Sequence, residues 1–215
     1  MSRKVLFFLF MVIASRLAGQ GVAGKHVVIV YPVVDAIQGS YLFMVSNESG
    51  TPEKYKMALK LPEETIDWAP QEGLLPKEIS LGKDGQIIIE KSFPAGDSIY
   101  SVGFRVPASG DTATITVKPA ANLGNLSFFV PDGKMRVLAK PEGFMMGKPA
   151  KFGGKEYITY AKNDVKSADS VSITLKGVYF GRSSFYWLGA VFTAALLILS
   201  CLFGYKTVPK ESSSN

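Results

Sequence analysis

Glu63, Glu64 and Asp67 form the densest group of carboxylates in the chain, in the stretch PEETIDWAPQEGLLP from Pro62 to Pro76. Two acids held a few ångströms apart in different environments can divide general acid and base work between them. Loop oxygens can also hold calcium, but the alternating acids of a dedicated calcium loop are missing here. Trp68 sits in the same stretch. Tryptophan is enriched where interfaces concentrate their binding energy, so Trp68 is a candidate partner-contacting residue. In a purely architectural role it would cap one end of a β-sandwich, with the acids solvated.

A second stretch, Glu142 to Gly154, imitates two known chemistries. Gly143, Gly147 and Lys148 are spaced one residue short of a phosphate loop, and Pro149 stands where Ser or Thr would be needed. Met145 and Met146, with Met135, suggest soft ligands for Cu(I). Adjacent side chains of a strand point to opposite faces, however, so the pair cannot converge on one ion. Phe144, Met145 and Met146 are therefore candidate partner contacts, with Phe152 as a neighbour, or a filling between two β-parts. His26 is the only histidine, and the sole cysteine, Cys201, lies far downstream. Any Ser-His-Asp or Cys-His arrangement would have to use His26 near the expected mature N-terminus. We read it as a strand residue and expect no catalytic residue, no metal and no cofactor. The chain is expected not to be an enzyme.

The elements carrying these residues alternate with a period of two. Tyr55, Met57, Leu59 and Leu61 share one face, with Lys54, Lys56 and Lys60 on the other. Tyr100, Val102, Phe104 and Val106 repeat the pattern, as do Ala113, Ile115 and Val117, then Leu126, Phe128 and Val130, then Val171, Ile173 and Leu175. Such alternation, rich in Val, Ile, Thr, Tyr and Phe, marks half-buried strands. Further strands are expected at 26–34, 41–46, 86–93, 135–139 and 155–160. Lys83-Asp84-Gly85 and Pro131-Asp132-Gly133-Lys134 suit tight hairpins, and the stretch from Pro62 to Pro76 reads as the longest connection without a strand. SVGFRVP (Ser101 to Pro107) and NLSFFVP (Asn125 to Pro131) end alike without forming a repeat. About ten short strands predict an all-β fold, an antiparallel immunoglobulin-like β-sandwich of one or two packed parts. The expected parts are 25–118 and a smaller 119–180, divided near Lys118 to Gly124.

Both ends of the chain speak for a membrane. MSRK followed by ten apolar residues, Val5 to Ala14, describes a secretory signal peptide, expected over 1–24. From Phe185 to Tyr205 an uncharged run of 21 residues would span roughly 31 Å as a helix, about the thickness of a hydrocarbon core. A transmembrane helix is expected over 183–206 and a cytoplasmic tail over 207–215, with Lys206 and Lys210 on the inner side. Gly189 and Thr193, and Ala190 and Ala194, stand four apart as candidate helix-packing positions. The expected product is a single-pass protein of the plasma (inner) membrane with its β-region outside.

The net charge of +6 belongs to these ends. Residues 25–180 hold 18 Lys and Arg against 17 Asp and Glu, which excludes a phosphate-binding stripe and a nucleic-acid partner. That region contains no cysteine; a domain of this size can bury enough surface without disulfides, which points to a bacterial envelope. Asn47-Glu48-Ser49 and Asn125-Leu126-Ser127 match the glycosylation triplet and would be silent there.

Ser92-Phe93-Pro94-Ala95-Gly96-Asp97 before Tyr100-Ser101-Val102-Gly103-Phe104, then further strands and a terminal helix, resembles the membrane-anchored immunoglobulin-like envelope proteins of bacteria. The resemblance implies a fold and a placement and transfers no catalytic or ligand residue. The expected function is non-enzymatic: protein–protein interaction or assembly in the cell envelope, with membrane or envelope proteins as partners. The alternative is a module displayed on the membrane that binds a carbohydrate or peptidoglycan fragment.

Overall fold

Long apolar runs flanked by turn residues become the central strands, and the short segments between them become the edges. The computed structural model describes residues 21–178. The apolar core of the expected signal peptide and the expected transmembrane helix, with Gly189, Ala190, Thr193 and Ala194, lie outside the described residues. The strands are β1 (Gly21–Val33), β2 (Ala36–Asn47), β3 (Glu53–Lys60), β4 (Asp67–Pro70), β5 (Ile79–Leu81), β6 (Gln86–Phe93) and β7 (Gly96–Pro107). They continue as β8 (Thr112–Val117), β9 (Leu123–Pro131), β10 (Arg136–Ala139), β11 (Met145–Met146), β12 (Ala150–Phe152), β13 (Lys155–Val165) and β14 (Val171–Lys176). Every expected run is a strand. β4, β5, β11 and β12 were not anticipated; with two to four residues each, they are too short to display a period. β4 thus corrects the reading of Pro62 to Pro76 as a connection without a strand.

The large sheet runs β11-β13-β9-β1-β2-β7-β4, with β12 also on β13; β10-β14-β8 and β3-β6-β5 are separate three-stranded sheets. One pairing departs from the expected antiparallel order. β1 and β9 run parallel, from Lys25 opposite Asn125 to Ile29 opposite Phe129. A parallel neighbour requires a long crossover, and strands β2 to β8 supply it. Both strands carry short uninterrupted apolar runs, VVIV at 27–30 and FFV at 128–130, as strands covered on two faces do. Val28 and Val30 are buried on one side of β1, Val27 and Ile29 on the other. Strands from either side of residue 118 share the large sheet and the β10-β14-β8 sheet.

One face of the large sheet, with Val28, Ile37, Tyr41, Phe43, Val102 and Phe128, packs in a single cluster with residues of both small sheets. Leu59, Ile87, Ile89 and Phe93 come from β3-β6-β5, and Ile115, Val117, Ile173 and Leu175 from the other. The result is an all-β sandwich with mixed pairing. Aromatic rings tie the layers: Tyr100 stacks on Phe43 at 5.8 Å and meets Phe93 edge-on at 5.1 Å. Gly39 lets the two middle strands carry a large ring between them, because a Cβ there would strike three ring carbons of Phe104. On the reverse face Val27, Ile29, Leu42, Phe129, Phe152 and Tyr157 form a second apolar cluster.

Lys83–Gly85 is a 3-10 turn closing the β5–β6 hairpin, with Gly85 at φ 69°. The Pro131–Lys134 turn is present, its Met135 amide bonding the Pro131 carbonyl at 3.3 Å. It does not make the expected hairpin, since β9 and β10 belong to different sheets. Turn chemistry encodes a reversal of direction and not the identity of the next neighbour.

Candidate functional site

Edge strand β4 is held on β7 in antiparallel register, Asp67 opposite Arg105 and Trp68 opposite Phe104. The Ile66 amide donates to the Arg105 carbonyl at 2.9 Å, and the Gln71 amide to the Ser101 carbonyl at 3.0 Å. Alternation then sorts the side chains. Phe104 is buried in the core and Trp68 packs half-buried against it, while Asp67 and Arg105 are exposed on the reverse face.

That reverse face carries an open groove of about 490 Å³ beside β4. Gln38 of β2, Asp67 and Ala69 of β4, Gln71, and Gly103 and Arg105 of β7 line it, and Val33 and Val34 close one side. Gln71 accepts the Ser40 hydroxyl at 2.8 Å. Its side chain lies over Gly103, in the space a Cβ at that position would occupy. An Arg105 guanidinium nitrogen is 3.4 Å from the Val34 carbonyl. Val34 is an exposed apolar residue of this lining, 55% accessible. The groove therefore offers a planar cation, a carboxylate, two side-chain amides and an apolar rim beside a strand edge that is unpaired among the described residues.

The three acids of the candidate cluster are separated into distinct tasks. Both oxygens of Glu64 engage Thr116, accepting its amide at 2.8 Å and its hydroxyl at 2.5 Å. Glu63 donates its amide to the Thr116 carbonyl at 2.9 Å and pairs with Lys118 at 2.7 Å. These bonds stitch the segment after β3 onto edge strand β8. Only Asp67 faces the groove, so the cluster cannot act as a carboxylate pair. Among the described residues no three His, Cys, Asp or Glu side chains converge on a position that could hold a metal.

Phe144 is buried, 6% accessible, with its ring 5.9 Å from Phe128. Met145 and Met146 are exposed on β11 at the opposite edge of the large sheet from β4. The structure does not bring Trp68 and the methionines together. The Phe144–Met146 stretch divides into a core residue and an exposed edge, and Lys140 Nζ holds the Phe144 carbonyl at 2.7 Å.

His26 lies inside the sandwich, as a strand residue should. Its Nδ1 is 2.9 Å from the Tyr41 hydroxyl. Both glycosylation triplets are internal hydrogen-bond devices. Asn47 is buried; its Nδ2 donates to the Thr51 and Phe93 carbonyls, and its Oδ1 accepts the Ser49 amide and hydroxyl. Asn125 Nδ2 donates to Asn163 Oδ1, and Ser127 donates to Asn125 Oδ1.

No family model and no curated protein matches this sequence. Among solved structures it is distantly similar to the yeast delta-COP-I mu-homology domain complexed with a Dsl1 WxWxV peptide. The identity is 12% over 72% of this chain and 73% of that one, and the TM-score is 0.25. At that score the likeness carries no argument about the site.

Arg105, Gln38 and Gln71 were not singled out in the sequence. One signal pointed to them: Gly103 and Arg105 share the outward face of β7, opposite the apolar face of Val102, Phe104 and Val106. A glycine within a strand often marks a close approach, here that of Gln71.

Proposed function

We propose that this chain is a non-enzymatic interaction protein of the cell envelope. In this reading an immunoglobulin-like sandwich is held outside the plasma membrane by a C-terminal helix and binds a protein partner along β4. The observation that carries it is the groove itself, where the outer edge of β4, Arg105 and Asp67 opposite each other in register, and exposed Val34 occur together. An extended segment of a partner can add to such an edge through its backbone, while side chains in the adjoining groove select the sequence. Arg105 would take a carboxylate with two parallel hydrogen bonds. Trp68 would support the strand from the core side. The same groove offers Gln38, Gln71 and Asp67 to sugar hydroxyls, which keeps the glycan-binding reading as the alternative.

A photo-crosslinking residue placed at Val34 or Ala69 of the full-length chain in cells tests the assignment. One discrete protein adduct, lost in Arg105→Glu and absent when the probe sits at Tyr55, supports the protein-partner reading. An adduct to glycan supports the alternative. Absence of any adduct at both positions would sink the groove as the functional surface.

A further inference from the structure

We infer that the row Ala69, Gly103 and Ser40 is a subsite for a side-chain carboxamide, an asparagine or glutamine of the partner, and that Gln71 fills it in the partner's absence. The inference rests on the proposed role of the groove. Register places the row. Ala69 of β4 stands opposite Gly103 of β7, and Gly103 opposite Ser40 of β2. Two residues along each strand, on the same face, Asp67, Arg105 and Gln38 form the neighbouring row. Those long side chains stand above the sheet, whereas a methyl, a hydrogen and a hydroxymethyl leave the first row low. The difference is a trough that crosses the strands and opens at the edge of β4. Ile29 of β1, opposite Ser40, closes its inner end.

A carboxamide already lies in this trough. The Gln71 side chain passes over Gly103, its Cδ 2.9 Å from the place a Cβ would take, and its Oε1 accepts the Ser40 hydroxyl at 2.8 Å. Any side chain at position 103 would exclude it, so the glycine makes the space. The Gln71 backbone is fixed. Its amide donates to the Ser101 carbonyl at 3.0 Å, the Ser101 amide to the Glu72 carbonyl at 3.0 Å, and the Glu72 amide to the Ser101 hydroxyl at 3.1 Å. The side chain is free to leave: it is exposed, water can replace its bond to Ser40, and the rotations that clear the trough move no backbone atom. On a strand added to β4, the residue facing Ala69 directs its side chain onto this face. A carboxamide there brings the same planar group, an acceptor oxygen beside two N–H donors, to the same serine. Gln71 is thus an internal competitor, and the subsite is open only in molecules whose Gln71 has swung out.

Adduct yield from a photo-crosslinking residue at Val34 of the full-length chain, compared in cells at equal expression, tests this. Gln71→Ala empties the trough and should raise the yield about fivefold. Gly103→Ala fills it and should lower the yield about fivefold, and the double variant should stay as low as Gly103→Ala alone. Unchanged denaturation midpoints separate these effects from loss of the fold; where Gly103→Ala shifts the midpoint, Ala69→Val is read in its place. Mass spectrometry of the adduct should find asparagine or glutamine in the crosslinked segment, and changing that residue to alanine should remove the gain given by Gln71→Ala. A yield that Gln71→Ala leaves unchanged or lowers overturns the subsite and leaves the groove standing. So does a yield that filling the trough does not reduce, or a crosslinked partner without either amide residue. No adduct from any of these chains, with the probe at Val34 or at Ala69, overturns the groove and the subsite with it.

Discussion

His26 and Tyr41 meet inside the sandwich, with Nδ1 2.9 Å from the hydroxyl and the rings edge to face at 5.4 Å and 85°. Phe43 closes a second side of the imidazole at 6.2 Å. Nε2 is buried and has no hydrogen-bond partner among the described residues. With one nitrogen satisfied and no countercharge in these contacts, the ring is held neutral: burial pulls its pKa from 6.5 to about 4. Burial likewise pushes the Tyr41 hydroxyl well above its usual value.

This pair predicts an acid-sensitive fold. Above the unfolded value of 6.5 the imidazole is neutral in both states, and its contribution is complete. As pH falls, the unfolded chain takes up a proton that the native state refuses down to about 4. Stability should drop by roughly 3 kcal/mol across that window and level off below it. Most carboxylates titrate lower, so the upper part of the slope belongs to His26. Urea unfolding of the detergent-solubilised protein from about pH 7 to about pH 4.5 should show the slope, and His26→Phe should flatten it.

Gly39 and Gly103 stand on adjacent strands and should respond oppositely to the same change. A methyl at Gly39 meets the Phe104 ring, packed in the core, and Gly39→Ala should cost roughly 1–3 kcal/mol. A methyl at Gly103 meets only the end of the Gln71 side chain, which can swing away. Gly103→Ala should stay within about 0.5 kcal/mol of wild type while narrowing the groove. Comparison of their denaturation midpoints checks the contrast.

Glu64 and Glu63 are neighbours in sequence with different structural weight. Glu64→Ala leaves the Thr116 amide without its carboxylate, and Thr116 is only 7% accessible; the expected loss is roughly 1–3 kcal/mol. Glu63 and Lys118 are both nearly half-exposed, so Glu63→Ala should cost less than about 1 kcal/mol. Chemical denaturation of the two single variants separates them.

Asn47 should remain unmodified even in a host that glycosylates secreted proteins. Its side-chain nitrogen is committed to two carbonyls, at 2.8 and 3.0 Å, and the residue is 1% accessible. Peptide mapping should find bare Asn47 in folded protein. Asn47→Ala, which releases the Thr51 and Phe93 carbonyls and the Ser49 amide, should lower stability by roughly 1–3 kcal/mol.

The amino-acid sequence determined the strands. Alternation located runs such as β7, β14 and β9; in β9 the structure buries Ser127 and Phe129 between Leu126, Phe128 and Val130 as well, so both of its faces are dry. It also marked where the chain must turn, because Gly85 and Gly133 occupy a backbone region open to few other residues. Tertiary structure alone decided which strands became neighbours. The parallel pairing of β1 with β9, the separation of β9 from β10, and the edge positions of β4 and β11 depend on contacts between segments far apart in the chain. The candidate site divided along the same line. Trp68 and Met145 were visible by residue type, but their opposite edges were not. Glu64 looked like a possible acid and became a clamp because β8 passed beside it. Local chemistry sets what each segment can form by itself; a surface is made where distant segments meet, and no single stretch of sequence contains that meeting.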